Sequence, residues 1–195
     1  ITYKKPPSDI SYFQGQDDDA FKTDGNITKK DIRALTLSEL KSFGSEVLWD
    51  IGAGSGSISI EWCLGHPKNV AFAIERRRDR ISLIKANRKK FGLQERLTVK
   101  HCNIETIAKD LPTPNAVFIG GGVTSDLIYQ VIKALGKNSR LVINAVTLES
   151  QALLLKKYRQ FGGNLKKINI SKPKPIGGKT IWSAQYNIIQ WSFKT

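Results

Sequence analysis

From Val47 onward, short apolar runs alternate with amphipathic stretches. The runs 47–52 (VLWDIG), 70–75 (VAFAIE), 97–102 (LTVKHC), 116–121 (AVFIGG) and 141–146 (LVINAV) are mostly β-branched or aromatic and predict strands. Segments near 57–65, 78–91, 104–109, 124–135 and 148–161 predict helices between them. In the second of these, Ile81, Ile84 and Phe91 share one stripe, and Arg and Lys fill the rest. Parallel strands need crossovers, so the alternation specifies an α/β fold with a parallel sheet and helices on both faces. The last third breaks the rhythm. There 165–170 (LKKINI) and 181–193 (IWSAQYNIIQWSF) predict two strands with no helix between them, joined by the loop 172–179 (KPKPIGGK). They should form an antiparallel hairpin added to the sheet.

The first 45 residues are different in kind. Pro6, Pro7 and the acidic cluster Asp17–Asp19 predict an extended arm over 1–27. A helix is expected over 28–43, with Thr28 capping it and Asp31 closing the capping box. Ile32, Leu35, Leu37 and Leu40 would be its apolar face and Gly44 its stop. Laid against the first strand, it would cover one end of the site there. With a core over 47–195, the whole of 1–195 reads as a single domain.

Of the 195 residues, 40% are hydrophobic and 25% charged, which is enough apolar material for a core and excludes disorder as the main state. The 31 Lys and Arg against 17 Asp and Glu leave a net charge of +14. That excess points to an anionic partner without choosing among nucleic acid, a membrane surface and a polycarboxylate or phosphate small molecule. No apolar run approaches the roughly 20 residues of a membrane-spanning helix. Residues 1–9 lack the apolar stretch and cleavage site of a signal peptide. Cys63 and Cys102 belong to no CxxC pair and His66 and His101 lie far apart, which argues against a disulfide framework and a cysteine- or histidine-based metal site. A soluble cytoplasmic protein is expected. Because the chain has no Met and begins at Ile1, a fragment or processed product is expected as well.

Asp50-Ile51-Gly52-Ala53-Gly54-Ser55-Gly56 directly follows the first strand and opens a helix. Glycines let the backbone turn sharply and approach a ligand, and the helix start offers free N–H groups. Glu75 lies 19 residues beyond Gly56, at the end of the second strand, where a carboxylate accepts both ribose hydroxyls of an adenosine. A dinucleotide site would carry GxGxxG, and a phosphate-binding loop would carry Gly-Lys-Ser/Thr; neither is present.

The Asp-x-Gly-x-Gly-x-Gly pattern resembles the first motif of class I S-adenosylmethionine-dependent methyltransferases. Their Rossmann-like sheet of seven strands ends in an antiparallel hairpin, as expected above. The resemblance implies S-adenosylmethionine as cofactor, held by Thr28, Asp50, Gly52, Ala53, Gly54, Ser55, Gly56, Glu75, Gly120 and Gly121. It also puts Asn103 and Ile104 in the adenine corner, where Cys102-Asn103-Ile104 stands in place of the usual Gly-Asp-Ala. Phe118-Ile119-Gly120-Gly121-Gly122 carries neither the Asn/Asp-Pro-Pro-aromatic motif of amino-group methylases nor the Pro-Cys of cytosine-carbon methylases. Glycines there leave room for a large flat acceptor, although a tight strand–helix turn would need them equally.

The strings Thr23–Arg33, Leu48–Ser57, Ile60-Glu61-Trp62, Ala73–Arg76 and Phe118–Gly122 together resemble the decarboxylating precorrin methyltransferases of cobalamin biosynthesis, over about residues 12 to 190. That resemblance implies methylation of precorrin-6B, or its cobalt form, at the C-15 carbon, with loss of carbon dioxide from the C-12 acetate. It also implies a homo-oligomer, a tetramer, for which the aromatic final hairpin (Trp182, Tyr186, Trp191, Phe193) is a candidate contact. A polycarboxylate substrate would give the positive charge a function. Candidate substrate residues are Gly122, Lys172, Lys174 and Lys179, with Asn144 and Thr147 just after the fifth strand; for the lysines, a solvated surface role is an equal reading. Glu61 is open between the pocket and a surface helix pair. Arg76-Arg77-Arg78 reads as a solvated face that could bind phosphates, His101 as a packed residue, and both cysteines as small buried hydrophobes. No metal is expected, and the sequence assigns no catalytic side chain. A tRNA base methyltransferase, or a non-catalytic nucleic-acid-binding module of the same fold, remains open as an alternative.

Overall fold

The computed structural model describes residues 14–102 and 108–195. Strands β1 (Val47–Ile51), β2 (Val70–Glu75), β3 (Leu97–His101), β4 (Ala116–Ile119) and β5 (Arg140–Ala145) pair in parallel. Helices α2 (Ser57–Leu64), α3 (Arg78–Lys90), α4 (Ser125–Ala134) and α5 (Leu148–Phe161) connect them, preceded by α1 (Lys30–Leu40). These bounds follow the apolar runs closely. The helix expected at 104–109 falls mostly outside the described residues. Only a short 3-10 turn, Ala108–Asp110, is seen there.

The strand order is β3-β2-β1-β4-β5-β9-β6 in one seven-stranded sheet. β9 (Ile188–Lys194) runs antiparallel to both β5 and β6 (Asn164–Ile168). The order reverses between β1 and β4, which opens a crevice beyond their C-terminal ends where ligands bind in such sheets. Alternation along the strands feeds two cores. Leu48 and Phe118 join Leu37, Trp62, Ile84 and Phe91 on one face. Trp49, Ile51, Val117 and Ile119 join Leu127, Leu154 and Trp191 on the other.

The two antiparallel strands expected at the end join the sheet as β6 and β9, but the segment between them is not a loop. Residues 164–195 form four strands, with β7 (Ser171–Ile176) and β8 (Lys179–Ala184) making a separate two-stranded ribbon. What read as a loop is therefore most of this ribbon, turning at Gly177-Gly178. β7 contains Pro173 and Pro175. Being two residues apart, they share one side of the strand and can point their missing N–H groups away from the ladder. The aromatic residues split accordingly. Trp191 is buried, stacks on Phe161 and donates its indole N–H to the Gly162 carbonyl (2.9 Å), whereas Trp182 and Tyr186 are exposed.

The N-terminal expectations also need correction. Asp18–Ala20 is a 3-10 turn, not part of an extended arm. α1 spans Lys30–Leu40, shorter than 28–43, and Thr28 does not cap it. Asp18 accepts the Lys30 N–H (2.9 Å), so the cap comes from upstream in the chain. Asp31 faces Lys172 (3.1 Å) and closes no box. Leu35 is exposed, and the helix stops at Lys41, which has a positive φ, before Gly44 is reached.

Candidate active site

The glycine loop turns at the end of β1 with Gly52, Gly54 and Gly56 all at positive φ. Gly52 is needed twice over, because a Cβ there would lie 3.2 Å from the Gly121 carbonyl of the β4–α4 turn. The two glycine motifs thus touch. Beneath the loop, Asp50 is buried, and its Oδ2 accepts the Ser59 N–H (3.1 Å) and hydroxyl (2.6 Å). Its Oδ1 has no partner among the described residues. Burial pushes the Asp50 carboxyl up to about 6; the Ser59 bonds oppose this and the neighbouring Glu75 charge adds to it.

Glu75 ends β2 almost fully buried. One oxygen accepts the Gly54 N–H (3.0 Å) and the other the Arg77 N–H (2.9 Å). Each carboxylate oxygen has two acceptor sites, so both retain one for a ligand. The backbone has fixed the carboxylate at the mouth of the loop before any ligand arrives.

These elements line a cleft of about 1190 Å³ that also takes in Gly120, Gly121, Gly122 and Thr124. At one end lie Glu75, Arg76, Arg77, Arg80 and Cys102; toward the other lie Asn144, Val146, Ile170, Gln185, Tyr186 and Ile188. The structure therefore brings together Thr28, Gly52, Ala53, Gly54, Ser55, Glu75, Gly120 and Gly121, with Asp50 just beneath and Gly56 capping α2. Asn103 and Ile104 lie outside the described residues.

The expected substrate residues divide. Gly122 and Asn144 line the cleft, but Asn144 is tied into a buried network, donating to Thr36 Oγ1 and accepting from Gln190 (both 2.9 Å). Thr147 caps α5 through the Ser150 N–H. Lys172, Lys174 and Lys179 are not in the cleft wall: the ribbon turns them to its exposed faces, and only its base at Ile170 and Ala184–Tyr186 reaches the cleft. Arg76 and Arg77, read as a solvated face, are exposed but border the cleft. Arg80 joins them, paired with Asp24 (3.0 Å). His101 is exposed rather than packed, and its Nε2 meets the Arg76 carbonyl (3.1 Å). Cys63 is buried, with its thiol pushed up to about 12 by desolvation; Cys102 is only partly buried and borders the cleft.

Both readings of Glu61 fail. It is 1% exposed and accepts from the Gly15 N–H (2.6 Å), the Gln16 N–H (3.0 Å) and Arg33 Nε (2.5 Å). Arg33 is 0% exposed; it also donates to Asp18 (3.0 Å), to the Thr28 carbonyl (2.5 Å) and to the Gln16 carbonyl, and lies over the Phe21 ring. This buried pair straps the N-terminal segment down so that Gly25–Lys29 form one wall of the cleft. The sequence signal was Thr23-Asp24-Gly25-Asn26, a turn in which Asp24 accepts the Asn26 N–H (3.0 Å).

Among the described residues, no group of His, Cys, Asp or Glu could hold a metal, and no helix is long and apolar enough to cross a membrane. Comparison with known proteins gives a consistent result. A decarboxylating precorrin-6Y C(5,15)-methyltransferase from Sinorhizobium sp is 44% identical over 180 residues, covering 92% of this chain but 43% of that protein. The chain thus spans less than half the length of the first curated relatives it matches. A Methanococcus maripaludis protein named "Probable cobalt-precorrin-6B C(15)-methyltransferase (decarboxylating)" is 32% identical over 80% of this chain and 84% of its own. The solved C-terminal domain of precorrin-6Y C5,15-methyltransferase from Rhodobacter capsulatus superposes with a TM-score of 0.90 at 43% identity, covering 95% of this chain and all of that one. The fold is the seven-stranded class I methyltransferase fold. A family model described as precorrin methyltransferase domain matches residues 19–195, and the chain belongs to that family.

Proposed function

We propose that this domain methylates the C-15 carbon of precorrin-6B or its cobalt form from S-adenosylmethionine, with decarboxylation of the C-12 acetate, in cobalamin biosynthesis. The observation that carries the reading is the continuous cleft: a fixed ribose acceptor and glycine loop at one end, and at the other a wide, mostly apolar space floored by bare glycines. The length and name of the Methanococcus relative support assigning the C-15 step to a chain of this size.

S-adenosylmethionine, when bound, supplies an electrophilic methyl group. Glu75 would take its ribose hydroxyls, the loop 52–56 its methionine part, and Asp50 the ammonium, since its Oδ1 is a buried acceptor with no partner among the described residues. The wall contributes alignment and exclusion of water. Gly120–Gly122 hold no side chain between the two ligands, and Phe118, Leu127, Val146 and Ile188 give the acceptor end apolar surface. The acceptor carbon is enamine-like and nucleophilic on its own, so orienting it is the protein's main task. The reading includes a cytoplasmic setting, in keeping with two cysteines that form no disulfide. It also includes a homotetramer, for which the exposed Ile176, Ile181, Trp182 and Tyr186 of the ribbon are the contact we favour.

Incubation with S-adenosylmethionine and precorrin-6B, followed by mass, tests the function. The product should gain one methyl group and lose one carbon dioxide; methylation of tRNA with no change in the tetrapyrrole would replace this reading. Light scattering that shows a monomer at micromolar concentration would remove the tetramer. Asp50 gives a further prediction. An approaching ammonium favours its charged form, so cofactor binding near pH 6 should release protons, and affinity should rise with pH through that value. Calorimetry in buffers of different ionisation enthalpy should detect the release near pH 6 and lose it at pH 8 or in Asp50→Asn. Buffer-independent heats at pH 6 would detach Asp50 from the ligand.

A further inference from the structure

Resting on that reading, the charges around the cleft point to one residue as the anchor of the acceptor. Among the described residues, four cations border the cleft, Lys29, Arg76, Arg77 and Arg80, against the single carboxylate of Glu75. The three arginines stand at the nucleoside end, and two have partners: Arg77 pairs with Asp79 (2.6 Å) and Arg80 with Asp24 (3.0 Å). Lys29 is placed differently. It precedes α1 and shares the wall with Thr28 and Ile32. The start of α1 also reaches the ribbon through Asp31 and Lys172 (3.1 Å), so Lys29 stands on the acceptor side of the glycine loop.

Its ammonium is only loosely held. It faces Asp18 Oδ2 as an ion pair at 4.0 Å, beyond hydrogen-bond distance, while Asp18 Oδ1 takes Arg33 Nη1 (3.0 Å) and the Lys30 N–H (2.9 Å). The Lys29 side chain is 49% exposed, so it keeps both hydration and reach, and a lysine stem can swing its point charge to meet a mobile carboxylate. Among the described residues, the remainder of the acceptor end offers neutral groups, such as Thr124, Asn144, Gln185 and Tyr186. Of these residues, the side-chain cation that a polycarboxylate entering that end would meet in the wall is Lys29, and not one of the ribbon lysines.

We propose that Lys29 is the specificity-determining cation for the acceptor, its ammonium pairing with a side-chain carboxylate of the tetrapyrrole and fixing how the ring lies over Gly120–Gly122. The contact forms on substrate binding and takes no part in bond making. The experiment compares Lys29→Met, Lys29→Arg and Lys172→Met in the methylation assay, with S-adenosylhomocysteine affinity measured by calorimetry. Lys29→Met should raise the apparent KM for the tetrapyrrole about 10- to 100-fold, the worth of one charge-assisted hydrogen bond. It should leave S-adenosylhomocysteine affinity within twofold and flatten the rise of KM with salt. Lys29→Arg should recover most of the loss, and Lys172→Met should match the parent. An unchanged KM in Lys29→Met, with the parent turning over precorrin-6B, overturns the proposal and leaves the function standing. Weakened S-adenosylhomocysteine binding also overturns it, by giving Lys29 to the methionine carboxylate. A parent that fails to turn over precorrin-6B removes the function and the anchor together.

Discussion

Glu61→Ala should destabilise the fold by about 3–5 kcal/mol, the scale for removing one partner of a buried ion pair. The loss has a clear origin. Arg33 would remain fully enclosed beneath Phe21 with its Nε left without an acceptor and only the half-buried Asp18 as counter-charge, and the Gly15 and Gln16 N–H groups would lose their acceptor. The same change should loosen Gly25–Lys29, so cofactor affinity should fall with stability even though Glu61 does not line the cleft. Urea denaturation measures the first effect and calorimetry with S-adenosylhomocysteine the second. The double variant Arg33→Met with Glu61→Leu should recover much of the stability, since an apolar pair removes the unpaired charge. A loss below about 1 kcal/mol for Glu61→Ala would mean that the strap is held by other contacts.

How far the fold was legible follows from what its parts depend on. The central parallel strands are enclosed on both faces, so their apolar runs are unambiguous, and helices such as α4 carry a clear stripe. The glycine loop and Glu75 were legible because strand, turn and acceptor all lie within one stretch of chain. The strap was not. Arg33 and Glu61 meet across 28 residues, and each alone looks like an ordinary surface charge on a helix. The ribbon was misread because its residues contact almost nothing but each other, so neither burial nor alternation marked Lys172–Lys174 as strand. The same misreading made the ribbon lysines look like part of the cleft. Net charge points to an anionic partner but not to a place for it, and only the folded wall picks out Lys29, Arg76, Arg77 and Arg80 from the 31 basic residues.

Glu75→Ala should weaken S-adenosylmethionine binding by about 1–3 kcal/mol, or five- to 150-fold, through loss of charge-assisted bonds to the ribose. The Gly54 and Arg77 N–H groups that Glu75 now accepts would also be released, so part of the loss could come from a loosened loop. A ligand-side change separates the two causes. Parent protein should bind the 2′-deoxy analogue of S-adenosylhomocysteine markedly less well than S-adenosylhomocysteine itself, whereas Glu75→Ala should bind both alike, because the acceptor that read the hydroxyl is gone. A loosened loop would instead weaken both ligands in the variant and preserve their ratio. Equal preference in parent and variant would therefore take the ribose away from Glu75 and leave it as the brace that holds the turn at Gly54.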